Sequence, residues 1–237
     1  MESLRDRLYE SYVTTHAGPG NAAATRLSYR RDLRPHLSRG WRVLDIGCGQ
    51  GELVRLLAAD GFDAAGVDVS PEQVRVARAA GLDRVQLGDF HACLRADPGG
   101  WDAVVATDVL EHLARDEVLE TFDDVRRALR PGGVFVARVP NAVSPMGGHT
   151  MFGDVTHETW FTRRSVAQLA AVTGFASVRV SACPPPVHGV VSAARALVWK
   201  PVSGLLKLAL AAETGVLRGH IITQNLTFVA GTGPAPR

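Results

Sequence analysis

Asp45 stands near the end of the apolar run 43–46, with one residue between it and three alternating glycines, Gly47, Gly49 and Gly51. The run reads as a buried strand and residues 52–59 as a helix, so the glycines form a strand-to-helix turn. Without Cβ atoms, such a turn lets a ligand approach the backbone closely. A dinucleotide fingerprint spaces its glycines G-x-G-x-x-G and seats a pyrophosphate on the helix N-terminus. Here the spacing is G-x-G-x-G, and the preceding carboxylate would repel a pyrophosphate. It suits a ligand that carries an ammonium and a sulfonium.

Two further acids extend the pattern. Residues 64–68 read as a second apolar strand that ends in Asp68, placed to accept from ribose hydroxyls. Ser70 and Pro71 then have the N-cap and first-turn character of a helix start. Asp89 follows Val85 and Leu87, positioned to accept from an adenine amino group while Phe90 stacks on the ring. Val69 and Thr107, at neighbouring strand tips, join the same expected cofactor set. S-adenosylmethionine (SAM) has the groups that three acids at successive strand ends would hold.

Residues 43–53, 67–70, 88–90, 106–113 and 129–138 together resemble the successive motifs of class I SAM-dependent methyltransferases, a likeness that covers roughly residues 25–180. The resemblance implies a Rossmann-like α/β fold. Its seven-stranded, mostly parallel sheet has helices on both faces and a reversed last strand. It leaves the acceptor open.

The elements expected from pattern alone agree with alternating strands and helices. Strands are expected at 43–46, 64–68, 84–87, 103–107, 134–139, 176–181 and 221–230. Helices are expected at 4–14, 22–36, 52–59, 71–80, 116–129 and 165–173, with a tight turn at Pro131-Gly132-Gly133. The organisation reads as an N-terminal helical cap (1–39), a SAM-binding core (40–182), an insertion (183–220), and a last strand and tail (221–237).

The chain has 237 residues, 46% of them hydrophobic, enough for a core. A net charge of +2 gives no nucleic-acid footprint. Cys48, Cys93 and Cys183 match no metal or disulfide spacing, and the mixed-charge N-terminus lacks a secretion signal's apolar stretch. A cytoplasmic protein is expected. Within the insertion, residues 190–212 are apolar and interrupted by Arg195, Lys200 and Lys207, with Trp199 among them. A membrane-surface helix, a lid and a dimer contact each explain that segment.

Methyl transfer to a hydroxyl needs alignment and a base, and histidine titrates in the useful range. His157, oriented by Asp154 or Glu158, is the first candidate for the base, and His112 the second. The loop beyond the fifth strand also supplies His149, Asp154, Glu158 and Trp160 as acceptor-binding residues, with Tyr12 from the cap. No metal is expected. Asp108, Glu111 and His112 nevertheless match the acid-x-x-Glu-His cluster that some ubiquinone-biosynthesis O-methyltransferases use for an ion, and magnesium is the alternative there.

The loop, residues 8–16 and residues 213–225 resemble methyltransferases of glycan and glycosylated-metabolite biosynthesis. The expected acceptor is therefore a sugar or a glycosylated small molecule. The alternatives are a phenolic quinone precursor, a nitrogen acceptor, or a SAM-binding subunit without turnover.

Overall fold

The computed structural model describes residues 22–234. Seven strands form one sheet: β1 (Arg42–Ile46), β2 (Asp63–Asp68), β3 (Val85–Leu87), β4 (Trp101–Thr107), β5 (Leu129–Pro140), β6 (Ser177–Cys183) and β7 (Asn225–Gly231). Their order is β3-β2-β1-β4-β5-β7-β6. Strand β7 runs antiparallel to both its neighbours, and the β1–β5 pairings are parallel. This is the expected Rossmann-like sheet with its reversed last strand.

Alternation along the strands divides the core between two faces. Leu44, Ile46, Val104, Ala106, Phe135 and Ala137 point to one side. Val43, Ala103, Val105 and Val136 point to the other. Asp45 follows Val43 by two positions, so it shares that second face.

The helices are α1 (Ala22–Ser28), α2 (Glu52–Ala59), α3 (Pro71–Ala79), α4 (Phe90–Ala96), α5 (Arg115–Ala128), α6 (Gly147–Met151), α7 (Arg163–Val172) and α8 (Val190–Thr214). Helix α1 continues through a π-turn at Tyr29–Leu33 and a short tight turn at Arg34–His36. Helix α3 starts as expected, with Ser70 Oγ accepting from Gln73 N–H and Pro71 in the first turn. The helix expected at 4–14 lies outside the described residues.

Three differences from expectation have local causes. Helix α4 was hidden because Asp89 reads as a ligand contact, whereas its side chain caps the helix by accepting from His91 N–H. Strand β5 starts at Leu129, which pairs with Trp101 before a register shift, and Gly132 turns at φ 83°. Strand β7 begins at Asn225 rather than residue 221, because Asn141 Nδ2 donates to the carbonyls of Ile221 and Thr223. Those carbonyls are taken by a side chain before the ladder starts.

The carboxyl ends of β1, β2, β4 and β5 lie side by side: Ile46 pairs with Val67 and Ala106, and Thr107 with Arg138. From β1 the order runs outward in both directions, which opens a crevice between β1 and β4.

Candidate active site

All three glycines of the turn after β1 are left-handed, with φ 64° at Gly47, 54° at Gly49 and 76° at Gly51. A Cβ on Gly47 would press into Val109 and one on Gly51 into Leu82, so those two pack against the fold. Gly49 meets only Gln73 at ordinary contact distance, and it lines the crevice. The Asp68 carboxylate spans the crevice mouth. One oxygen accepts from Gly49 N–H and the other from Ser70 N–H, each at 2.8 Å. Burial raises its pKa, and the two backbone donors oppose that rise.

The first cleft, about 410 Å³, is lined by Gly47, Gly49, Asp68, Val69, Asp89, Phe90 and Thr107, and also by Gln73, His91 and His112. Seven of the nine expected cofactor positions therefore meet on one wall. Gly51 instead sits in the packing beneath it. Asp45, 2% exposed, lies under the turn rather than on the cleft wall. Burial, and then the Asp68 charge, push its carboxyl well above the usual range. Phe90 is largely committed to the core, at 8% exposure.

The crevice holds unpaired polar atoms that a SAM-shaped ligand could meet. Gln73 Oε1 and Thr107 Oγ1 are buried without a partner, and both residues border this crevice. Buried polar atoms of that kind call for a bound group. Sequence reasoning missed Gln73, whose only signal was its place in the first turn of α3.

A second cleft, about 650 Å³, continues from the glycine turn towards Tyr29, Asp32, Asp108 and Arg138. A third, about 360 Å³, lies beyond β5 and is lined by residues including Glu111, His112, Asp154, His157, Gln224 and Asn225. His112 stands on the wall of the first and the third, and Asp108 borders all three. The loop carrying His157 is pinned there because Glu158 and Thr159 donate their N–H groups to the Glu111 carbonyl.

The His112 ring is held by a directional chain. Thr156 Oγ1 donates to Asp154 Oδ1 at 2.6 Å, so its one proton is spent there. It must then accept from His112 Nδ1–H, 2.7 Å away. In the neutral ring this leaves Nε2 as the basic nitrogen. His157 is placed differently. Its Nδ1 faces the Thr150 carbonyl at 3.1 Å, its Nε2 lies 4.0 Å from Asp154, and it borders only the third cleft.

His149, Glu158 and Trp160 line none of the three clefts. His149 and Glu158 are exposed, and Trp160 packs edge-on against Phe152. Asp154, not Glu158, is the acid near His157. Tyr12 lies outside the described residues.

The trio Asp108, Glu111 and His112 does not converge as an ion site. Asp108, at a strained φ of 56°, gives both oxygens to Arg138. Burial works against the Arg138 charge, but Asp108 more than restores it. The groups that do converge are Glu111, His112 and His157, with ligating atoms within 4.8 Å of one another. Two imidazoles suit magnesium poorly. Burial, and then Asp108, push the Glu111 carboxyl well above its usual range, and its Oε2 is unpartnered. This donor set does not fit the magnesium ion of the alternative reading.

A family model described as a methyltransferase domain matches residues 20–180. The chain belongs to that family. SAM is the cofactor of the methyltransferase. A structure of a SAM-dependent methyltransferase from Archaeoglobus fulgidus has a TM-score of 0.68 and 20% identity, over 95% of this chain and 98% of that one. A SAM-dependent methyltransferase from Thermotoga maritima has a TM-score of 0.64 and 15% identity, over 90% and 91%. Both likenesses are of fold. A ubiquinone biosynthesis O-methyltransferase of Xylella fastidiosa is 34% identical over 106 residues, 42% of each chain. The match thus spans less than half the length of that relative.

Among the described residues, no helix is long and apolar enough to cross a membrane.

Proposed function

We propose that the methyltransferase moves a methyl group from SAM to the hydroxyl of a phenolic small molecule, with His112 as the base. One observation carries this reading: His112 borders both the cofactor cleft and the acceptor-side cleft, with its Nδ1–H fixed by Thr156 and Asp154. When bound, SAM supplies a methyl group on a sulfonium that leaves as a neutral thioether. His112 Nε2 takes the acceptor's proton as the oxygen–carbon bond forms and the carbon–sulfur bond breaks. Arg138 and Asp108 neutralise each other at the junction of the clefts.

A phenol has an ordinary pKa near 10, within reach of a positioned imidazole, whereas an aliphatic hydroxyl is harder to deprotonate. The similarity to ubiquinone biosynthesis O-methyltransferases also favours a phenolic acceptor over the sugar expected from sequence. The sugar is kept as the second reading because Thr150, Asp154, Gln224 and Asn225 give the third cleft a polar lining.

The test is an acceptor screen with SAM, read by S-adenosylhomocysteine release and product mass, with dihydroxybenzoates set against nucleotide sugars. Methylated catechol supports the reading. A methylated sugar with untouched phenols replaces it with the second.

A further inference from the structure

Helix α8 is the largest element without an obvious use in the chemistry. It runs 25 residues, yet only Ser192 and Ala211 are buried along it. At about 100° per residue, its side chains sort into two faces. Ser192, Ala196, Trp199, Ser203, Leu206 and Leu210 form a buried or half-buried stripe on the inner face. The outer face is apolar and open: Val190 is 87% exposed, Leu205 69%, and Leu197 and Leu208 67% each, with Val191, Val198 and Val202 beside them. An exposed apolar strip along a whole helix marks an interaction surface.

Charge decides what covers it. Against a single acid, Glu213 in its last turn, the helix carries three cations, Arg195, Lys200 and Lys207. All three are exposed. Lys200 and Lys207 lie along one margin of the apolar face and Arg195 along the other. Such stems reach outward while their apolar parts cover the surface below. An apolar face rimmed by three cations and, in the last turn, one acid carries net positive charge and complements an anionic lipid surface. Among the described residues no helix, this one included, is long and apolar enough to cross a membrane.

We propose that α8 docks the enzyme on an anionic membrane surface, apolar face in the headgroup layer and cations on lipid phosphates. The chain leaving α8 at Thr214 reaches the acceptor cleft at Gln224 and Asn225. The inference does not depend on whether the acceptor is a phenol or a sugar.

Flotation of the full chain with vesicles tests it, using phosphatidylcholine alone and phosphatidylcholine mixed with phosphatidylglycerol. Light scattering after size exclusion reports the oligomeric state in parallel. The expected result is flotation with the anionic vesicles only. Each of Lys200→Gln and Lys207→Gln should weaken it roughly fivefold. The double variant Leu197→Glu, Leu205→Glu should abolish it while S-adenosylhomocysteine binding is retained. Equal flotation with neutral vesicles, or none with either, overturns the proposal. A dimer that Leu205→Glu dissociates, without vesicle binding, assigns the face to a second copy of this chain and overturns it too.

Discussion

Gly49 donates its backbone N–H to Asp68 Oδ2 at 2.8 Å and so ties the glycine turn to the tip of β2. A residue expected to hold the cofactor's ribose also holds the turn against which the cofactor would lie. Each Asp68 oxygen keeps a second lone-pair direction for a ribose hydroxyl.

Asp68→Asn should weaken S-adenosylhomocysteine binding by about tenfold to a hundredfold, the scale of one lost hydrogen bond to a charged group. Calorimetric titration measures it. Unchanged affinity would remove Asp68 from the cofactor site.

Thr156→Val keeps the side chain's shape and cuts the link from His112 to Asp154. We expect kcat to fall roughly tenfold to a hundredfold with the KM for SAM unchanged, since loss of a base costs about a hundredfold or more and this change only misorients it. His157→Gln, by contrast, should raise the acceptor KM more than it lowers kcat. Steady-state kinetics with the acceptor from the screen decide between these outcomes.

Asp45→Asn tests the buried acid beneath the turn. Burial and Asp68 raise its folded pKa above the unfolded value, which is near 3.9. Below that pH both states hold the proton and the carboxyl carries no penalty. As pH rises towards the folded pKa, the unfolded chain ionises first and native stability is lost. The Asn variant should therefore gain on wild type as pH rises above about 4, with a plateau beyond the folded pKa. Urea unfolding across that range checks it, and a pH-independent difference would refute it.

Phe122→Ala should cost about 3–5 kcal/mol, a fall in Tm of roughly ten degrees for a chain this size. The Phe122 ring meets Phe135 edge-on at 5.4 Å and stacks on Phe228 at 5.6 Å, and so joins α5 to β5 and β7. Calorimetric unfolding would register the loss.

The cofactor crevice was legible in the chain because its signals are local. The turn needs φ values that favour glycine at residues 47, 49 and 51. Asp68 sits within reach of Gly49 because β1 and β2 are adjacent parallel strands joined by one helix. The alternation of apolar runs and helices gave the sheet for the same reason. Period and turn chemistry act over a few residues.

What residues 108–161 do could not be read this way. Only the fold brings Arg138 to Asp108 and takes that carboxylate out of any ion site. Only the fold carries Thr156 to His112 across 44 residues, and only the fold places His112 on the first cleft as well as on the third, which it shares with His157. The sequence determined which side chains carry chemistry and which strands end beside them. The tertiary structure decided their pairing, because a hydrogen bond depends on distance and direction between loops whose approach no local propensity encodes.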